Sequence, residues 1–245
     1  MPNLYDKLIN RIVNVVPLVH LRRSEVKEVE AEPNSRFTKP FVTISREPGS
    51  GGKPIAGLVA KNMGFSLYDR KIIEDVSKNV HERKALMESI DEHSRSAIDD
   101  IIHSAFNPDY VSDIRYIRSL SSTILSAAIQ GNVVILGRGA NFITPFDKGL
   151  HVRICAPYLV RVERTIKFEH ITKEEAIREI RRTDEQRKEF VRQYFGKDVS
   201  NPNYYDIVIN TMVMSIEDAA VLIIEAFKHK FPEYSRRLRI LRDRL

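Results

Sequence analysis

The most constraining stretch of this sequence is residues 41–63. A short β-branched run, Phe41-Val42-Thr43-Ile44, leads into Gly49-Ser50-Gly51-Gly52-Lys53 and then into a segment with Ile55, Leu58, Val59 and Met63 at helical spacing. A strand that turns on glycines straight into a helix fixes an α/β unit, because the helix must fold back over the strand to bury its apolar stripe. The turn also has chemistry. A helix N-terminus exposes unpaired N–H groups and the positive end of the helix dipole. Glycines let an anion approach that backbone closely, so the unit is a candidate phosphate cradle. Pro54 suits the first helical position, where no N–H is required. The match to the pattern GxxxxGK[ST] is partial. Glu47 stands where the first glycine belongs, and Pro54 replaces the hydroxyl that holds Mg²⁺. A tight turn without a ligand stays open at this point.

The rest of the chain continues the alternation. Phe65-Ser66-Leu67-Tyr68 reads as a second strand with Asp69 at its carboxyl end, and residues 71–130 are helical in pattern with a break near Asn107-Pro108. Val133-Val134-Ile135-Leu136 is a buried strand ended by Gly137-Arg138-Gly139, and Val152 to Cys155 is another. Helices follow from Leu159, with Thr172 and Glu175 spaced as a capping box. Tyr205 to Ile209 is a fifth strand, and Ser215 with Asp218 caps a last helix through Phe227. Strands alternating with helices predict an α/β fold with a parallel five-stranded sheet covered on both faces. Residues 40–231 read as one such domain. Residues 1–39 read as an extension, an amphipathic helix over Leu4 to Val16 ended by Pro17 plus a polar linker. Residues 232–245 read as a basic tail with five arginines, Arg236 to Arg244.

Composition narrows the function. With 42% apolar residues in 245, the chain can bury a sizeable core. A net charge of +6 suits phosphorylated ligands, and equally nucleic acid or an anionic membrane surface. The lone cysteine, Cys155, excludes an intrachain disulfide. No CxxC or HExxH points to zinc. No apolar run reaches the roughly 18 residues of a membrane span, and the N-terminus lacks a signal-peptide core. A cytoplasmic location is expected.

Ile44-Ser45-Arg46-Glu47-Pro48-Gly49-Ser50-Gly51-Gly52, Tyr68-Asp69-Arg70, Ile135-Leu136-Gly137-Arg138-Gly139, and Tyr205-Asp206 with Asn210-Thr211 together resemble the cytidylate kinase-like family of P-loop nucleoside monophosphate kinases, over about residues 40–228. The resemblance implies the P-loop NTPase three-layer fold, with a helical acceptor-binding insertion at residues 81–130 and a helical lid near 165–195. It implies ATP-dependent phosphoryl transfer to a nucleoside monophosphate, CMP or dCMP, with Mg²⁺. Two departures stand out. Gly52 and Lys53 occupy the Lys and Ser/Thr positions of ordinary cytidylate kinases, and Gly139 stands where those carry aspartate after Gly-Arg.

Phosphoryl transfer requires alignment and charge neutralisation more than covalent help. On that basis Gly49, Ser50, Gly51, Gly52 and Lys53 are expected to cradle the donor phosphates. Lys53 is the candidate for the β/γ-phosphates, against a solvent-facing first-turn lysine. Arg46 is expected to brace the loop. The resemblance puts Arg138 near the acceptor phosphate. Arg187 and Arg192, within the basic run Arg178 to Arg192, are the candidates for closing over the transferring group. Asp69 is assigned to the acceptor or to water around Mg²⁺, against a helix N-cap, and Arg115 to the acceptor. No residue is assigned as a direct metal ligand. Other readings stay open: a nucleotide-binding regulatory module with weak or lost catalysis, a kinase of another small acceptor, or nucleic-acid binding through the basic tail. A homo-oligomer stays open too.

Overall fold

The computed structural model describes residues 36–88 and 114–236, together with Ile98 and Ile102. The expected N-terminal helix and linker, the break near Asn107-Pro108 and the arginines beyond Arg236 lie outside the described residues. The elements in chain order are β1 (Phe41–Arg46), α1 (Gly52–Met63), β2 (Ser66–Tyr68), α2 (Arg70–Lys78), α3 (Val80–Glu88), α4 (Ile114–Gln130), β3 (Val133–Leu136), α5 (Ala140–Ile143), β4 (Gly149–Cys155), α6 (Tyr158–Glu169), α7 (Lys173–Phe195), β5 (Ile207–Asn210) and α8 (Ile216–Lys230).

The five strands form one parallel sheet in the order β2-β3-β1-β4-β5. Alternation along each strand sorts its side chains between two helical layers. Val42, Ile44, Val134, Leu136, Leu150, Val152 and Ile154 face the layer of α1 and α8, and all are almost fully buried. Phe41, Val133 and Ile135 face the other layer, with α2, α4, α5 and the end of α7. Burial of each such side chain contributes roughly 1.5–3 kcal/mol. The sequence expectation of a three-layer parallel α/β fold is met.

The boundaries shift for local reasons. β2 begins at Ser66 because the Phe65 amide is spent on Ala60 O (2.8 Å), closing the helix end at Gly64. β5 begins at Ile207 because Tyr205 closes a 3₁₀ turn, its amide donating to Pro202 O (3.0 Å). The Thr172–Glu175 capping box is present and starts α7. α6 and α7 pair through a small core of their own, Val162, Ala176 and Ile180.

α1 carries one avoidable weakness. Gly57 lies in its interior, and a Cβ there would meet nothing within 4 Å. Gly57→Ala is expected to raise stability by about 0.5–1 kcal/mol, by restricting the unfolded chain, with activity unchanged. A urea melt checks this.

The sheet order also places the site. The connection leaving β1 runs towards β2, and that leaving β4 runs towards β5. Adjacent strands thus send their chains in opposite directions, which opens a crevice at their carboxyl ends.

Candidate active site

The glycine turn lies in that crevice. Gly49 and Gly51 hold φ 73° and 82°, in the left-handed region that a Cβ disfavours. Gly51 caps α1 without any side-chain hydrogen bond. The amides of Gly51, Gly52 and Lys53 find no acceptor among the described residues. They are the donors a bound anion would satisfy. Ser50, expected among the residues that cradle the donor phosphates, has its side chain turned inward. It is fully buried, and the hydroxyl donates to Glu47 O (2.8 Å) and lies 3.3 Å from Ile154 O. Its amide donates to Glu47 O as well (3.3 Å). Ser50 therefore braces the turn from within.

Glu47, in the position of a missing glycine, is a clamp. One carboxylate oxygen accepts from Arg153 (3.1 Å), and the other accepts from the Ala156 amide (3.1 Å) and lies 3.5 Å from Arg161 Nε. Arg161 also reaches Asp184 on α7 (2.9 Å). These bonds tie the phosphate loop to β4, to α6 and to the helix above.

Beside the loop is a cleft of about 470 Å³ whose walls include Arg46, Arg70, Arg138, Arg153 and Arg187. Glu47 and Glu74 compensate part of this charge, since Glu74 pairs with both Arg70 and Arg138. The remainder is unbalanced. Burial first, then Arg187, Arg138 and Arg70, lower the Arg46 guanidinium to about 9. Burial, Arg70 and Arg187 lower Arg138 to about 10. Burial lowers Arg187 too, with Asp184 opposing. All three stay cationic at neutral pH, so the cleft holds positive charge that a polyanion would relieve. Arg187 donates to the Arg46 carbonyl (2.6 Å), which fixes α7 over the end of β1.

A second hollow, of about 320 Å³, adjoins the first through Arg46 and is lined by Lys53, Asp69 and Glu74. The Lys53 side chain is 77% exposed, with Nζ 3.7 Å from Asp69 Oδ2. Asp69 caps α2, Oδ1 accepting from the amides of Lys71 (3.0 Å) and Ile72 (3.1 Å). The structure thus lines the cleft with Arg138 and Arg187 and the adjoining hollow with Lys53 and Asp69, while Arg46, which packs against Gly52, lines both. It does not bring Arg192 there. That side chain is solvent-exposed on α7 and paired with Glu189 (2.8 Å), and the residues lining the cleft do not include it. Arg115 belongs to α4, but its side chain lies outside the described residues. Sequence reasoning missed Arg70, Arg153 and Asn141. Arg153 had a legible signal, a charge inside an apolar strand.

A model of the cytidylate kinase-like family matches residues 41–213. The chain belongs to the cytidylate kinase-like family. Its similarity extends to the cytidylate kinase of Pyrococcus horikoshii, 27% identical over 79% of this chain and 91% of that one. The cytidylate kinase of Methanopyrus kandleri is 30% identical over 76% and 91%. The solved structure of an uncharacterized protein from Eubacterium ventriosum shares the fold, with a TM-score of 0.60 at 23% identity over 78% of this chain and 99% of that one. As a member of the cytidylate kinase-like family the chain is a kinase-type phosphotransferase on a P-loop nucleotide-binding fold. No helix among the described residues is long and apolar enough to cross a membrane.

Proposed function

We propose that this protein is a nucleoside monophosphate kinase that uses ATP, with CMP or dCMP as acceptor and with a cytoplasmic location. The observation that carries this reading is the gathering of Arg46, Arg138 and Arg187 around one cleft, with Arg46 packed against Gly52 in a turn whose Gly51, Gly52 and Lys53 amides have no acceptor among the described residues. A phosphate oxygen of the acceptor attacks the γ-phosphorus, the bond to the β–γ bridging oxygen breaks, and ADP leaves. The acceptor oxygen is already anionic, so no general base is needed. The loop amides and Lys53 hold the donor phosphates. Arg138 holds the acceptor phosphate, and Arg187 and Arg46 lie against the group in transit. Arginine suits this work because its planar fork binds two oxygens and stays charged.

Asp69 fits a nucleotide-borne Mg²⁺: Oδ2 takes no part in the helix cap, and Mg²⁺ draws most of its ligands from phosphate oxygens and water. Bound there, the ion would neutralise charge on the phosphates. Pro54 can offer it nothing.

The test is ATP consumption with Mg²⁺ against a panel of nucleoside monophosphates. CMP or dCMP is expected to give the highest kcat/KM, and Arg138→Ala to lower it by about 10²-fold. No turnover with any acceptor overturns the reading. A second reading, a nucleotide-binding module with weak or lost catalysis, is favoured by Pro54 and by Gly139. The Phe195 ring occupies the space a side chain at 139 would need. Calorimetric binding of ATP without turnover selects it.

A further inference from the structure

Among the described residues, the polar side-chain atoms shut off from solvent without a hydrogen-bond partner are Ser121 Oγ, Arg138 Nε, Asn141 Nδ2 and Tyr158 Oη. Two of these belong to the single segment 138–141, and both of those residues line the large cleft. The backbone there is strained as well, since Arg138 holds φ 55°. Native proteins leave few buried polar groups unmet, and unmet groups and backbone strain gathered beside a cavity point to a ligand that completes them. An anion answers for Arg138. Asn141, a neutral carboxamide, needs no charge on its partner, and it stands in the cleft beside aromatic rings rather than among paired anions. The group left unmet is an N–H donor, so what it lacks is an acceptor. Phe142 and Phe190 line the same cleft and offer apolar ring surfaces.

We infer that Asn141 reads the base of the acceptor nucleotide, donating from Nδ2 to a ring carbonyl oxygen or an unprotonated ring nitrogen. The inference rests on the nucleoside monophosphate kinase reading and deepens it. The arginines recognise phosphate whatever base it carries, and Asn141 supplies the discrimination. A site built to hydrogen-bond a base edge rejects a ligand that leaves its buried group unpaired.

Calorimetric titration of the full chain with CMP, UMP, AMP, GMP and ribose 5-phosphate tests it. Asn141→Ala removes the amide. Asn141→Leu removes it while keeping the volume, so that if one variant fails to fold in a thermal melt the other carries the test. Each is expected to weaken the tightest nucleoside monophosphate by about tenfold, the loss of one buried hydrogen bond. Affinity for ribose 5-phosphate, which has no base, stays unchanged. An equal loss for ribose 5-phosphate would mean that Asn141 merely shapes the phosphate site, and unchanged nucleotide affinity would remove it from recognition. Either result overturns the inference. Failure of the underlying reading looks different: the wild type itself would bind no nucleoside monophosphate more tightly than ribose 5-phosphate, and the inference would fall with it.

Discussion

Arg46→Met is expected to lower kcat/KM for phosphoryl transfer by about 10²–10³-fold while leaving the protein as stable as the wild type or more so. The two effects separate because they have different origins. The Arg46 stem packs along the phosphate loop, so closely that a Cβ on Gly52 would lie 2.5 Å from Arg46 Cβ. Methionine can follow the same course and keep the packing. The guanidinium, in contrast, is buried among Arg187, Arg138 and Arg70, which is why it is pushed down to about 9. In the free protein that charge is a liability, and with a polyanion in the cleft it becomes an asset. The pH dependence of stability carries the signature. A cation with a depressed folded-state pKa is penalised at every pH below that value, and the penalty is relieved as pH rises above about 9 towards the ordinary arginine range, because over that window the unfolded chain binds the extra proton. The stability advantage of Arg46→Met is therefore full at neutral pH and narrows above pH 9. Paired denaturant melts at pH 7 and at pH 9.5–10 measure it. Turnover at the wild-type rate would place Arg46 outside the chemistry.

Gly49→Ala should be the most damaging single-methyl change in the phosphate loop. The residue holds φ 73°, where an L-side chain alone costs about 1–2 kcal/mol. The added Cβ would also lie 2.6 Å from the Arg161 carbonyl oxygen and 3.0 Å from Arg161 Cα. Those are backbone atoms at the start of α6, and neither side can yield cheaply. A loss of about 3 kcal/mol or more is expected, with turnover falling below detection because the turn can no longer present its amides. Gly51→Ala is the control. It carries a similar φ of 82°, but its Cβ would meet only side-chain atoms of Ile216 and Ile55, at 3.5 Å and beyond, an ordinary contact. It should lose the strain energy alone. Equal losses for the two variants would show that the approach to Arg161 does not constrain the loop.

Much of the architecture was legible in the sequence because its causes are local. The glycine turn between β1 and α1, the capping box at Thr172 and the buried run Val133–Leu136 each depend on residues a few positions apart. Their order is enough to predict a parallel, doubly covered sheet. The phosphate loop was legible for the same reason: left-handed glycines followed at once by a helix are a short-range pattern.

What the tertiary structure alone decided is which polar groups are free to act. Ser50 looks like a phosphate ligand in the sequence, yet its hydroxyl is consumed by carbonyls of Glu47 and Ile154, the latter from a strand 104 residues away. Arg187 and Arg192 belong to one basic run. Five residues on a helix turn a side chain by about 140°, so one reaches the Arg46 carbonyl and the other faces solvent. Periodicity separates two faces but does not say which of them meets the cleft. The sequence offers Arg46 only as a brace for the loop; its buried, uncompensated charge, like the unmet donor of Asn141, became visible only when the surroundings were known, because these are properties of what lies across the space from a side chain. Sequence spacing determines the elements and the loop. The site is selected by long-range packing, which leaves some charges paired and others waiting for a ligand.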